Sequence, residues 1–166
     1  MEKYIWILPA VFMFHDMEEI TGIEKWYNKN CDSIISAYPS AAKVLSTYKG
    51  ITTTGFALAV YEELVILIGI CIAASLTDSS LVKGLWFGSL LGFTMHLVIH
   101  IVQAALIRRY IPALITSIIS LPPSICITWK CCAAAPSGSV FIAGTVIGIT
   151  GIAVNLKFAH KLMKRI

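Results

Sequence analysis

The sequence is short of charge. Only 13% of its 166 residues are charged against 57% apolar, and the acids number nine. Soluble globular domains carry about 25% charged residues, so an ordinary soluble domain is excluded. No recurring alternation of apolar and polar residues marks out strands, which argues against a transmembrane β-barrel. The five cysteines (Cys31, Cys71, Cys126, Cys131 and Cys132) form no C-x-x-C pair. A cysteine zinc site or dithiol redox pair is therefore not expected, and these thiols are read as small apolar fillers. No small-x-small cleavage site follows the apolar stretch Tyr4 to Phe14. That stretch is expected to persist as the first half of a helix rather than be removed as a signal.

What the chain has instead is long apolar runs, with a mean hydropathy of +0.80. A membrane span needs roughly 20 mostly apolar residues, because the hydrocarbon core is about 30 Å thick and a helix rises ~1.5 Å per residue. Five segments qualify, at about 4–24, 51–76, 82–107, 111–130 and 138–160. The expected fold is an all-α polytopic transmembrane bundle, with residues 1–166 forming a single domain. Most connections are short, which makes consecutive helices antiparallel neighbours. The one long connection, about 25–50, contains Pro39-Ser40 followed by Ala41 to Tyr48, an expected interfacial helix. Pro122-Pro123 predicts a kink or break in the fourth segment, because each proline removes a backbone hydrogen bond. In the fifth segment, Gly144 and Gly148 permit close helix approach, either within the bundle or in a homo-oligomer.

Charge sets an expected direction. With five spans, one side carries Lys3, Lys83 and Lys130. The other carries Lys25, Lys29, Lys43, Lys49, Arg108, Arg109, Lys157, Lys161, Lys164 and Arg165. Positive residues concentrate on the cytoplasmic side, so the N-terminus is expected outside and the C-terminus in the cytoplasm. This rim accounts for the pI near 8.8, and no nucleic-acid partner is expected.

The scarce acids are not spread along the chain. Five of the nine fall in two clusters, Asp16, Glu18 and Glu19 in the first apolar segment and Glu62-Glu63 in the second. Three of the four histidines, His15, His96 and His100, also lie in apolar segments. A charged group at membrane depth costs at least ~2.5–3.5 kcal/mol, so such groups pair, bind an ion or face a water-filled cavity. Helical spacing puts His15, Glu18 and Glu19 roughly on one face, with Asp16 rotated by about 100° from His15. His96 and His100 form an i,i+4 pair that can bind one metal ion through both imidazoles, and Gln103 extends their stripe. Adjacent Glu62 and Glu63 cannot both face one point. Depth agrees between helices: His100 lies ~12 Å, Glu19 ~9 Å and Glu62 ~16 Å from the same membrane face, counted from Arg108, Lys25 and Ile51.

The run His15-Asp16-Met17-Glu18-Glu19 resembles the signature of the HXXEE-domain family of small bacterial integral membrane proteins. The resemblance covers most of the chain. It implies His15, Glu18 and Glu19 as motif residues and the bacterial inner (plasma) membrane as the location, but no particular activity.

From the chemistry of these residues, the expected function is a membrane-embedded metal-dependent enzyme acting on a lipid-like or small apolar substrate. His15, Glu18, Glu19, His96 and His100 are the expected ligands of one or two divalent ions, zinc or iron. Glu62 or Glu63 is expected as a further ligand or general base, with Tyr61 and Gln103 as orienting donors. Zinc implies hydrolysis and iron implies oxidation; the residues leave both open. The alternatives are a proton-coupled or metal-ion transporter using the same groups, and a non-catalytic subunit whose polar network fixes helix packing.

Overall fold

Apolar runs with few internal breakers become long helices in the computed structural model, which describes residues 1–163. They are α1 (Ile7–Ala37), α3 (Thr53–Leu76), α4 (Ser80–Ile107), α5 (Leu114–Ala133) and α6 (Ser139–Leu162). The described residues contain no strand. Four of these helices, α3 to α6, are long and apolar enough to cross a membrane. The polar run and the later charges keep α1 out of that class, although its apolar first half packs into the bundle.

α1 also outlasts its expected end near residue 24. It continues to Ala37, so the first half of the expected loop is helical. The chain then turns at Tyr38 into the short helical turns Pro39–Ala41, α2 (Ala42–Leu45) and Ser46–Tyr48. This is the short helical stretch expected after Pro39.

α1 is tied down near its start and again past its middle. Near its start, the Ile5 carbonyl accepts from the Trp86 indole (3.2 Å) and the Cys71 thiol (3.4 Å). Cys71 lies near the end of α3 and Trp86 near the start of α4, so these three ends share one side of the bundle. Towards the other side, Glu24 Oε2 accepts from the Thr53 amide and hydroxyl, each at 2.6 Å, where α3 begins. Thr52 caps the same helix start through the Gly55 amide (3.0 Å). Glu18 plays the equivalent part at the start of α5. The acids of α1 thereby satisfy amides that helix starts leave unpaired.

The closest helix contact is between α4 and α6. Gly84 and Gly88 face Gly144 and Gly148, and a Cβ added at any of the four would collide with the partner backbone. Without a strong hydrophobic drive between helices in lipid, such small-residue faces let backbones gain van der Waals contact. Gly144 and Gly148 thus pack closely within the chain. Pro122-Pro123 lie within α5, which is helical throughout Leu114–Ala133; of the kink or break expected there, the break does not occur. Ser117, Ser120 and Ser124 form its buried stripe. Lys164 and Arg165, counted in the charge asymmetry, lie outside the described residues.

Candidate metal centre

Two helices each supply an i,i+4 pair. α1 presents His15 and Glu19, and α4 presents His96 and His100. One potential donor atom from each lies within 4.8 Å of all the others, so the four are placed to hold a metal ion. His96 Nε2 and His100 Nε2 are 2.8 Å apart, and His100 Nε2 lies 3.7 Å from Glu19 Oε1. The His15 ring centroid is 5.4 Å from that of His96 and 5.2 Å from that of His100. Tetrahedral ligation at about 2.0–2.2 Å separates donors by roughly 3.3–3.6 Å, close to this arrangement. Three imidazoles with one carboxylate suit zinc, iron or manganese better than the all-oxygen preference of calcium or magnesium.

His15 gives the clearest test of fit. It is 0% exposed, and its Nε2 has no hydrogen-bond partner. Burial without a partner is costly for an imidazole nitrogen, so the atom calls for an occupant. Its Nδ1 lies 3.3 Å from the Thr116 hydroxyl, which in turn is 2.7 Å from Glu18 Oε2. An ionised carboxylate can only accept, so Thr116 donates its proton to Glu18 and accepts from His15 Nδ1–H. That tautomer leaves the Nε2 lone pair facing the other donors, the arrangement commonly made by groups behind metal-bound histidines. His100 Nδ1 is also without a partner. Phe93 packs edge-on against the His15 ring at 5.7 Å.

Glu18 itself is not a member of the group. Its carboxylate accepts from the Tyr110 hydroxyl (2.6 Å), the Thr116 amide (2.8 Å) and the Ile115 amide (3.4 Å), as well as the Thr116 hydroxyl. Consecutive helical residues point about 100° apart, so Glu18 turns to α5 while Glu19 turns to α4. The backbone there is strained: Ala113, immediately before α5, has φ of 78°. Partial burial and the neighbouring Glu18 push the Tyr110 phenol up to about 12, so it remains a donor. The Trp26 indole holds the Tyr110 carbonyl at 2.7 Å, fastening the α4–α5 turn to α1.

The second acidic cluster divides between two environments. Glu62 accepts from the Asn155 amide on α6 at 3.1 Å. Glu63 lines a cavity together with Asp16, Glu19, His96 and His100. Asp16 is 4% exposed, lines the same cavity as Glu19, and its Oδ2 has no partner. Tyr61 is 65% exposed and points away from the site, contrary to its expected orienting role. Gln103 lines the cavities beside His100. Asp16, Tyr110 and Thr116 were not singled out as site residues from sequence. Asp16 had a signal, its place within the acidic run; Thr116 and Tyr110 had none, because ordinary polar residues acquire meaning only through tertiary contacts.

Two cavities meet at this centre. One, of about 450 Å³, and another, of about 480 Å³, share Glu19, His100, Gln103, Val44 and Tyr48. A family of proteins of unknown function with an HXXEE motif matches residues 6–127. The chain belongs to this HXXEE family. Its motif residues are His15, Glu18 and Glu19, of which the first and last face the candidate centre. Neither the curated proteins nor the solved structures gave a match.

Proposed function

We propose that this HXXEE protein is a membrane-embedded metal-dependent enzyme acting on a lipid-like or small apolar substrate. The observation carrying this reading is the fully buried His15 Nε2, unpartnered among two further imidazoles and the Glu19 carboxylate. His15, Glu19, His96 and His100 would hold one ion, with zinc or iron favoured by the donor set. Such an ion supplies Lewis acidity and an activated water, or redox chemistry if it is iron. Glu63 shares the cavity with the ligands and is the proposed general base. Glu62, engaged by Asn155, is not.

We also place the chain in the bacterial inner membrane with five spans, N-terminus outside. Support comes from the contacts of Ile5 and Glu24 with the ends of neighbouring helices and from the three-to-ten charge asymmetry in the sequence. The centre then lies in the cytoplasmic half of the bundle.

Elemental analysis after mild, chelator-free purification tests the reading. One equivalent of metal in wild type, lost in His15→Ala and His100→Ala, is expected; a metal-free wild type would overturn it. One observation favours a second reading, proton-coupled or metal-ion transport. Asp16, Glu19 and Glu63 line one cavity, and chains of buried acids also serve as proton relays. Ion flux in liposomes that vanishes in Asp16→Asn, without substrate turnover, would support transport instead.

A further inference from the structure

Both cavities have mainly apolar linings, and they differ in the charged side chains they carry. The smaller is lined by Ile23, Trp26, Ile34, Leu45 and Ile111, together with Glu19, His100, Gln103 and Ser40. Two of its lining residues, Val44 and Leu106, are 54% and 68% exposed, so the apolar chamber opens towards the surroundings of the bundle. The larger cavity starts from the same Glu19 and His100 but carries Lys43 and Lys157 on exposed positions. Neither lysine is in an ion pair among the described residues.

We propose that the centre binds a single-chain amphiphile with an anionic head, its chain in the smaller cavity and its head at Lys43 and Lys157. This deepens the proposed function by naming the substrate class, and it rests on that reading. Burial of the chain supplies affinity through apolar area removed from water, and the exposed lysines supply complementary charge. The bond between chain and head, or the carbons next to it, then lies beside Glu19 and His100. Carboxylate and phosphate heads share this recognition chemistry.

The test uses the full chain in nanodiscs of uncharged lipid and four probes with one chain length: dodecyl phosphate, dodecanoate, dodecanol and dodecylamine. Both anions are expected to bind tighter than dodecanol, and dodecylamine weakest. Preference for dodecyl phosphate over dodecanoate assigns a phosphate head, and the reverse a carboxylate. Lys43→Ala/Lys157→Ala should weaken the preferred anion about tenfold, the order expected for lost hydrogen bonds to a charged group, and leave dodecanol unchanged. Ile34→Trp should weaken all four probes by filling the chain cavity. Lys3→Ala, remote in sequence and in the opposite predicted rim, should change none. Dodecanol or dodecylamine binding as tightly as the anions would overturn the proposal, as would an unchanged anion preference in the double lysine variant. Metal content is measured on each sample. Loss of the metal reading with anion selectivity intact would remove the enzyme while leaving the ligand class; intact metal without selectivity would do the opposite.

Discussion

Glu18 and Thr116 are joined twice, through the Thr116 amide at 2.8 Å and its hydroxyl at 2.7 Å, both to the same carboxylate oxygen. The contact separates the two glutamates of the motif by task. Glu18 satisfies amides at the start of α5, where a negative group is also favoured by the helix dipole. Glu19 contributes a donor to the metal centre. Glu18→Ala is expected to lower thermal stability in detergent by the equivalent of about 1–3 kcal/mol, because it strands hydrogen-bond donors. Glu19→Ala is expected to abolish stoichiometric metal with a smaller stability loss. Metal analysis and thermal unfolding on both variants check the division; identical phenotypes would contradict it.

Thr116 reaches the centre through His15, at Nδ1 (3.3 Å) and at the carbonyl oxygen (3.2 Å). Thr116→Val keeps the shape and removes the hydroxyl, so His15 loses the acceptor that selects its tautomer. Groups in this position typically change metal affinity by about 10–100-fold. Competition against a chelating dye should show a loss of this order in Thr116→Val and recovery in Thr116→Ser. A role confined to packing predicts unchanged affinity in Thr116→Val.

Much of this architecture was legible because helical period and charge are local properties. The i,i+4 spacing of His96 and His100 and of His15 and Glu19 gave each pair a face. Counting residues from the charged ends then put the pairs at one depth. The side of the motif taken by Glu18 could not be read this way. Glu18 and Glu19 are only about 100° apart, and either could have faced α4 until the position of α5 was known. Likewise, Tyr61 is polar-tipped and close in sequence to Glu62, yet its direction outward depends on where α3 meets its neighbours. The length of α1 was missed for another reason. Lys25, Lys29 and Asp32 end an apolar span without ending a helix, since charged residues, unlike proline, are compatible with helical backbone.

Glu62 and Glu63 give a direct discrimination between neighbours. Glu63→Gln alters a carboxyl that shares a cavity with the ligands, whereas Glu62→Gln alters a contact with Asn155. With a general-base role, Glu63→Gln is expected to lower turnover by about 10²–10⁴-fold while metal remains bound. Glu62→Gln should leave both near wild type, because an amide oxygen still accepts from Asn155. Once a turnover assay exists, equal losses in the two variants would remove Glu63 from that role.

The glycine seam gives a prediction about folding rather than association. At Gly148 an added Cβ would lie 2.9 Å from the Gly88 Cα and closer still to the Leu85 carbonyl. Both neighbours are backbone, so neither can move aside by changing a rotamer. Overpacking of this kind typically costs about 1–3 kcal/mol even in a core that can adjust. Gly148→Ala is therefore expected to lower the unfolding temperature in detergent and Gly148→Leu to prevent stable folding. Gly151→Ala, where nothing lies within 4 Å of the added atom, is the matched control and should be tolerated. Light scattering on Gly148→Ala and wild type should give the same mass per particle. A change from oligomer to monomer without loss of stability would instead place this face between chains.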